Sequence, residues 1–332
     1  MQCFRCSRPG FLKFSALFTL FAVLLVLGGH YGRFFEPTLE QQLKAGTISD
    51  RANAYVFYAT EDDYACSVLV NIDILRNSHE TKHRIIVLVS NGVSSKYRSA
   101  FRALNAEVIR EKPMQLHPES NGHYRDCLLK LAAFRMHEID PTLRRVLVLD
   151  SDQLILKDLD HLFDLPSANL YAPTAYWLDD SYLSSTLMLI QPTAELWEEM
   201  QEAIRNLTPN QYDMDIVNDV LGEEAARLPD SYIILNNHWE DWTLPPWFTP
   251  SATATADSAS ANPSQAASIQ DLDDLSHQAH VIHFTAAGKP WSRDLWTVGE
   301  LKPYAHEVLL LQWQEWRIRA LQLCPAGVID HL

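Results

Sequence analysis

Two aspartates one residue apart, in Asp150-Ser151-Asp152, directly follow the apolar run Arg145 to Leu149 (RVLVL). A run of that kind reads as a buried strand, and in open α/β sheets ligands collect at the carboxyl ends of strands. Carboxylates at i and i+2 reach one hard divalent cation where the backbone turns between them. Such a cation bridges a diphosphate and stabilises it as a leaving group. Spacing alone is weak, because Asp158/Asp160, Asp213/Asp215 and Asp271/Asp273 repeat the pattern. Position after a buried strand favours the first pair. A second constellation, His283-Phe284-Thr285-Ala286-Ala287-Gly288-Lys289-Pro290-Trp291, begins at another strand end. There His283 offers a third metal ligand, Gly288 allows close backbone approach, and Lys289 supplies a cation for a phosphate. Taken alone, the same residues also describe a core histidine and a solvated lysine in a turn.

Positioning these groups requires a sheet. Strand patterns appear at Ala54 to Ala59 (AYVFYA), Ile85 to Val89, Glu107 to Ile109 and Arg145 to Leu149. Helical patterns lie between them, at Cys66 to Leu75, Ser95 to Leu104 and Cys127 to Met136. This alternation implies a mostly parallel sheet covered on both faces. The second half is mixed, with strands expected at Thr186 to Ile190, Tyr232 to Leu235 and Val281 to Phe284. Helices are expected at Ala194 to Arg205 and Tyr212 to Leu221. Thr249 to Gln270, rich in Ser, Ala and Thr, reads as a flexible insert. Leu301 to Leu323 reads as a long amphipathic C-terminal helix carrying Trp313 and Trp316.

The N-terminus bears on where these elements work. Phe14 to Tyr31 is an uncharged, mostly apolar stretch of 18 residues preceded by Arg5, Arg8 and Lys13. A spanning helix needs roughly 20, and the positive flank keeps the short tail cytosolic. The expected order is a cytosolic tail at 1–13, a membrane anchor at 14–31, a stem at 32–52, a catalytic domain at 53–300 and a C-terminal helix at 301–332. A cleaved signal peptide is the rival reading, disfavoured by the length of the run. The chain has 332 residues, 47% of them hydrophobic, enough for a sizeable core. Its formal charge of −15 makes nucleic acid an unsuitable partner. Among the cysteines, Cys66 and Cys127 are candidates to pair in an oxidising lumen, though spacing does not decide it.

The ordered pieces VFYATEDDY, LLKLAAF, VLVLDSDQLILKDLDHLF, LMLIQP, DMDIVND and HFTAAGKPW span about Asn53 to Trp291. Together they resemble glycosyltransferase family eight, the glycogenin-like retaining transferases with a GT-A fold. The DMDIVN and HFTAAGKPW wording resembles the fungal N-acetylglucosaminyltransferase-like members that extend Golgi glycans. The resemblance implies a mixed, mostly parallel sheet with helices on both faces, a UDP-sugar donor, a glycan acceptor, a Mn²⁺ cofactor and a single-pass Golgi membrane protein. It implies Tyr58, Ala59, Thr60 and Tyr64 at the uridine, with Ser151, Ser184 and Gly288 also at the donor. Asp150 would meet ribose and metal, and Asp152 and His283 would complete the metal ligands. Lys130 would reach donor sugar or phosphate, Asp213 a donor hydroxyl, and Lys289 the departing diphosphate.

Two departures touch the donor sugar. The family's Asn-Ser-Gly reads Ser184-Ser185-Thr186 here, and its Asp-Gln-Gly reads Asp213-Met214-Asp215. With no evident side-chain nucleophile, same-face attack is expected, the acceptor proton passing to the leaving phosphate. Rival readings are the same fold using UDP-glucose, UDP-galactose or UDP-glucuronate, and a non-catalytic membrane-anchored carbohydrate-binding protein. A metal-dependent phosphohydrolase fits less well, since it gathers more ligands for two metals.

Overall fold

A computed structural model describes residues 51–122, 126–250 and 267–331. The expected tail, anchor, nearly all of the stem and most of the insert lie outside the described residues. Among the described residues no helix is long and apolar enough to cross a membrane.

The first strand explains the layering. Along β1 (Asn53–Ala59) side chains alternate. Tyr55, Phe57 and Ala59 enter one apolar core, Ala54 and Val56 the other. Parallel neighbours flank it: β2 (Arg84–Val89) on one side and β4 (Arg145–Leu149) on the other. Beyond β2 lies β3 (Glu107–Arg110). Beyond β4 come β7 (Leu187–Ile190), β6 (Leu170–Ala172) and β8 (Ala226–Arg227), with β4–β7 and β6–β7 antiparallel. Two strands buried on both faces, IIVLV and VLVL, carry no alternation, as expected for a covered sheet. A second sheet orders β5 (Gln153–Ile155), β10 (Val281–His283) and β9 (Ile234–Leu235).

One core is closed by α1 (Asp62–Asp73) and the C-terminal helix Glu307–Leu323. The other is closed by the segment Cys127–Arg135 and by α4 (Ala194–Arg205), which follows α2 (Ser95–Ala103) and α3 (Met136–Ile139) in the chain. Four more helices follow, α5 (Asp213–Leu221), α6 (Asn237–Asp241), α7 (Ile269–Gln278) and α8 (Leu295–Leu301), and the C-terminal helix Glu307–Leu323 is α9.

Four expectations need correction. Cys127–Arg135 is a 3-10 helix, with α-helix only from Met136 to Ile139. The C-terminal helix starts at Glu307; Leu295–Leu301 is separate, and Pro303 between them lacks the N–H to continue a helix. That terminal helix is a core element, because Trp313 and Trp316 are fully buried. The insert ends before Gln270, since Ser268 caps α7 by accepting the Asp271 N–H, and Leu272 and Leu275 anchor it. Finally, Cys66 is bonded to Cys324, not to Cys127. The sheet separates Cys66 from Cys127, whose pairing spacing had left open, with Cys66 in one core and Cys127 packed against the other.

Candidate active site

The acidic pair sits where two sheets meet. Asp150 leaves β4 and donates its N–H to Thr186 O at 3.1 Å, at the start of the antiparallel β7. Asp152 immediately precedes β5, and β5 pairs Gln153 with His283 of β10. Phe284 N–H then bonds Asp152 O at 3.0 Å. This register brings residues 131 positions apart in the chain, Asp152 and His283, side by side. Asn71 on α1 secures β5 from below: its Nδ2 donates to Gln153 O at 2.7 Å and its Oδ1 accepts Ile155 N–H at 3.0 Å. One ligand atom from each of Asp150, Asp152 and His283 falls within 4.8 Å of the others.

Each carboxylate is held by a cation. Lys130 Nζ lies 2.6 Å from Asp150 Oδ1 and 2.8 Å from Asp213 Oδ2. Only 3% exposed, it is no surface lysine. Burial disfavours its charge, but Asp150 and Asp213 outweigh that and raise its pKa. Tyr58 OH donates to Asp150 Oδ1 at 2.9 Å, and Ser185 Oγ to Asp213 Oδ2 at 2.6 Å. Lys289 Nζ reaches Asp152 Oδ2 at 2.6 Å and also bonds Phe284 O. Burial pushes the Asp150 carboxyl up to about 7 against the pull of Lys130. For Asp152 burial also pushes upward, yet the positive charge near it prevails and holds it at about 2. Burial lowers His283 to about 4, so its imidazole is neutral at pH 7.

The residues present fit a divalent cation. His283 Nδ1 is buried without a hydrogen-bond partner among the described residues, and its 3.8 Å approach to Asp152 is too long for one. A neutral imidazole beside two carboxylates is a mixed N/O donor set of the kind that Mn²⁺ accepts.

The other expected residues divide. Tyr64 packs edge-on to Trp291 at 5.1 Å, joining the end of β1 to the loop after β10. Ala59 O and Thr60 O are bound by Ser90, through its N–H and hydroxyl respectively. Ser151 Oγ bonds Tyr58 O. Gly288 has φ of +91°, which an L residue rarely adopts, and the turn it permits presents Lys289. Ser184 turns away, bonding Thr186 Oγ1 at 2.7 Å, while its neighbour Ser185 meets Asp213. Asp215 is a helix cap: it accepts Tyr212 N–H at 2.8 Å and Tyr182 OH at 2.6 Å. The rival D-x-D pairs are likewise occupied. Asp160 accepts Tyr55 OH and Thr81 Oγ1, and Asp271 caps α7.

Asn236 and Arg317 were not among the residues singled out from the sequence. Asn236 Oδ1 accepts the N–H groups of Thr285 and Ala286 at 2.7 and 2.8 Å and so shapes the loop carrying Lys289. Arg317, 3% exposed, donates to the carbonyls of Pro290 and Arg293 from the far side of that loop. Nothing local marks either; both matter through partners distant in sequence.

No protein-family model matches the sequence. Among curated proteins, it is 28% identical over 250 residues to the glucose N-acetyltransferase 1 of Gibberella zeae, covering 61% of this chain and 55% of that protein. It is 29% identical over 158 residues to the Saccharomyces cerevisiae protein of the same name, covering 43% of this chain and 31% of that one. The chain thus spans about half or less of the length of these relatives. In structure it is similar to the galactosyltransferase LgtC in complex with donor and acceptor sugar analogues, with a TM-score of 0.54 and 18% identity. That match covers 82% of this chain and 97% of LgtC, and at this identity it speaks for the fold. The chain has the GT-A nucleotide-sugar transferase fold, and its sequence relatives and its fold both agree with the resemblance to glycosyltransferase family eight.

Proposed function

We propose that the chain transfers a sugar from a UDP-sugar donor to a glycan acceptor with the help of a divalent cation, best Mn²⁺, and retains the anomeric configuration. N-acetylglucosamine is the favoured sugar, on the resemblance of the DMDIVN and HFTAAGKPW stretches to N-acetylglucosaminyltransferase-like members. The observation that carries the reading is the convergence of Asp150, Asp152 and His283 within 4.8 Å at the strand ends of a GT-A fold. A cation held by these three would draw negative charge from the diphosphate as it departs.

The chain's own residues supply the rest. Tyr58, Tyr64 and the backbone at Ala59 and Thr60 offer a ring and polar edges for a uracil. Lys289, on a turn fixed by Gly288, can trade Asp152 for a phosphate oxygen, adding positive charge where charge develops. Asp213 is kept ionised by Lys130 and Ser185 although burial pushes its pKa upward, and a carboxylate so held can accept a donor hydroxyl. Its oxygen Oδ2 is already shared by two donors, which disfavours it as a nucleophile. Same-face attack by the acceptor follows, its proton passing to the leaving phosphate.

The Cys66–Cys324 disulfide supports a lumenal, oxidising setting, as would suit a type II Golgi membrane protein. The test is hydrolysis of UDP-N-acetylglucosamine, UDP-glucose, UDP-galactose and UDP-glucuronate by the full chain in detergent, with and without Mn²⁺. Mn²⁺-dependent release of UDP from one donor, fastest with UDP-N-acetylglucosamine, is expected. No release from any donor would sink the reading.

A further inference from the structure

Asparagine followed two residues later by Ser or Thr, with any residue but proline between them, is the acceptor triplet for N-glycosylation. In this sequence Asn206-Leu207-Thr208 is the one such triplet, since Asn262-Pro263-Ser264 has the excluded proline. Triplets of this kind arise by chance in many chains, so the motif alone decides nothing. The structure adds where it lies. Asn206 follows the last residue of α4, and its N–H still bonds Glu202 O and Ala203 O at 3.2 and 3.1 Å. Asn206 and Thr208 are exposed, whereas Leu207 between them packs against the same core as α4. The Asn206 side-chain amide carries two N–H bonds. One donates to Glu202 Oε1 at 2.7 Å, and the other has no partner among the described residues. The Thr208 hydroxyl has none there either; Gln211 uses only the Thr208 backbone. Replacing one amide hydrogen of Asn206 therefore breaks no contact of the folded chain.

A second observation, independent of the motif, bears on the compartment. N-glycans are attached in the lumen of the secretory pathway, and the Cys66–Cys324 bond is of the kind that persists in such an oxidising space. We infer that Asn206 is N-glycosylated. Its Nδ2 forms a bond to C1 of the first N-acetylglucosamine of a lipid-diphosphate oligosaccharide. The C1–O bond to the diphosphate breaks, and the amide proton leaves with the lipid diphosphate. This assignment rests on the lumenal setting proposed above and on no part of the transfer chemistry. Pro209 follows the triplet and biases Thr208 toward extended backbone. That restricts the conformations open to the attaching enzyme, so glycosylated chain is expected beside some that stays bare.

The test is expression of the full chain in a eukaryotic secretory host, followed by treatment with peptide N-glycosidase, which removes such a glycan and leaves aspartate in place of the asparagine. On a denaturing gel the treatment should collapse two bands into the faster one, and mass spectrometry should find the conversion at Asn206. Asn206→Gln and Thr208→Ala should each run only at the faster position. Thr208→Ser keeps the hydroxyl and should retain the slower band. No slower band from the parent chain, or one that persists in Asn206→Gln, overturns the site. A version with Asn-Gly-Thr appended after Leu332 then separates the two readings. Modification there with Asn206 bare removes the site and leaves the lumenal setting standing, and modification at neither removes both. UDP-sugar hydrolysis is measured on the same material. Its absence from a chain glycosylated at Asn206 sinks the transfer reading and leaves the modification site in place.

Discussion

Trp316 donates its indole N–H to the Ser67 hydroxyl at 3.0 Å, joining two helices across 249 positions of chain. The same two helices are joined by the Cys66–Cys324 disulfide and by the Arg319–Asp73 ion pair at 2.9 Å. On its other flank the terminal helix meets the loop after β10, Trp316 against Trp291 and Trp313 against Phe284. Trp291 in turn touches Tyr64 on α1. One helix therefore sets the distance between the expected nucleotide side of the site and the loop that presents Lys289.

Opening that clamp should cost stability. Cys324→Ser releases a cross-link spanning 258 residues, and native disulfides of small and medium domains contribute about 2–5 kcal/mol. Denaturant unfolding should show a loss in that range, and reductant should reproduce it in the parent chain. A variant that unfolds at the parent midpoint would mean the helix is held by packing alone.

Asp152→Asn keeps shape and removes the charge that a divalent cation needs. Electrostatic terms of this kind contribute several kcal/mol to transition-state stabilisation, so UDP-sugar turnover should fall by about a hundredfold or more. His283→Ala should weaken Mn²⁺ binding, with partial rescue at high Mn²⁺. Asp160→Asn is the control, since Asp160 serves Tyr55 and Thr81; it should lower stability and leave Mn²⁺ affinity alone. Titration calorimetry with Mn²⁺ separates the cases, and full Mn²⁺-dependent turnover by Asp152→Asn would place the chemistry elsewhere.

The local patterns made most strands and helices legible, because residues such as Tyr55 and Val56 alternate between two cores and Ile85 to Val89 is uniformly buried. Asp150 stood out for the same reason: the strand before it announces its own end. What the sequence could not display was pairing between distant segments. Spacing left the pairing of Cys66 with Cys127 open, and the sheet between the cores excludes it in favour of Cys324. Lys130 looks like any helical lysine until a 3-10 segment turns it inward against Asp150 and Asp213. Ser184 resembles a donor contact by motif, but it is already bonded to Thr186 Oγ1, as Asp215 is to the backbone N–H it caps.

Lys130→Met should destabilise the fold more than it repacks it. The substitution leaves Asp150 and Asp213 buried without their shared cation, and breaking a buried pair from one side costs about 3–5 kcal/mol. Adding Asp213→Asn to it removes one of the stranded charges and should recover part of the loss. Urea midpoints of the two variants measure this, and a double variant no more stable than Lys130→Met would argue that the network is worth little.

His238 gives the fold a pH dependence away from the acidic cluster. Its Nε2 bonds Tyr176 OH and its Nδ1 bonds Thr243 Oγ1, both at 3.0 Å, and its ring stacks on Tyr176. Burial lowers its pKa from 6.5 to about 4, so the folded chain holds the ring neutral. Between those values the unfolded chain binds a proton that the folded chain refuses, and stability must therefore rise with pH across that window. It should be level above about 6.5 and fall as pH drops toward 4, by roughly 3 kcal/mol if the whole difference is realised. His238→Gln cannot take up the proton, so its unfolding free energy should vary less between pH 4 and 6.5 than that of the parent chain. Parallel denaturant titrations at pH 4.5, 5.5, 6.5 and 7.5 give the comparison. Identical slopes in parent and variant would show that His238 is charged in the folded chain or accessible to water.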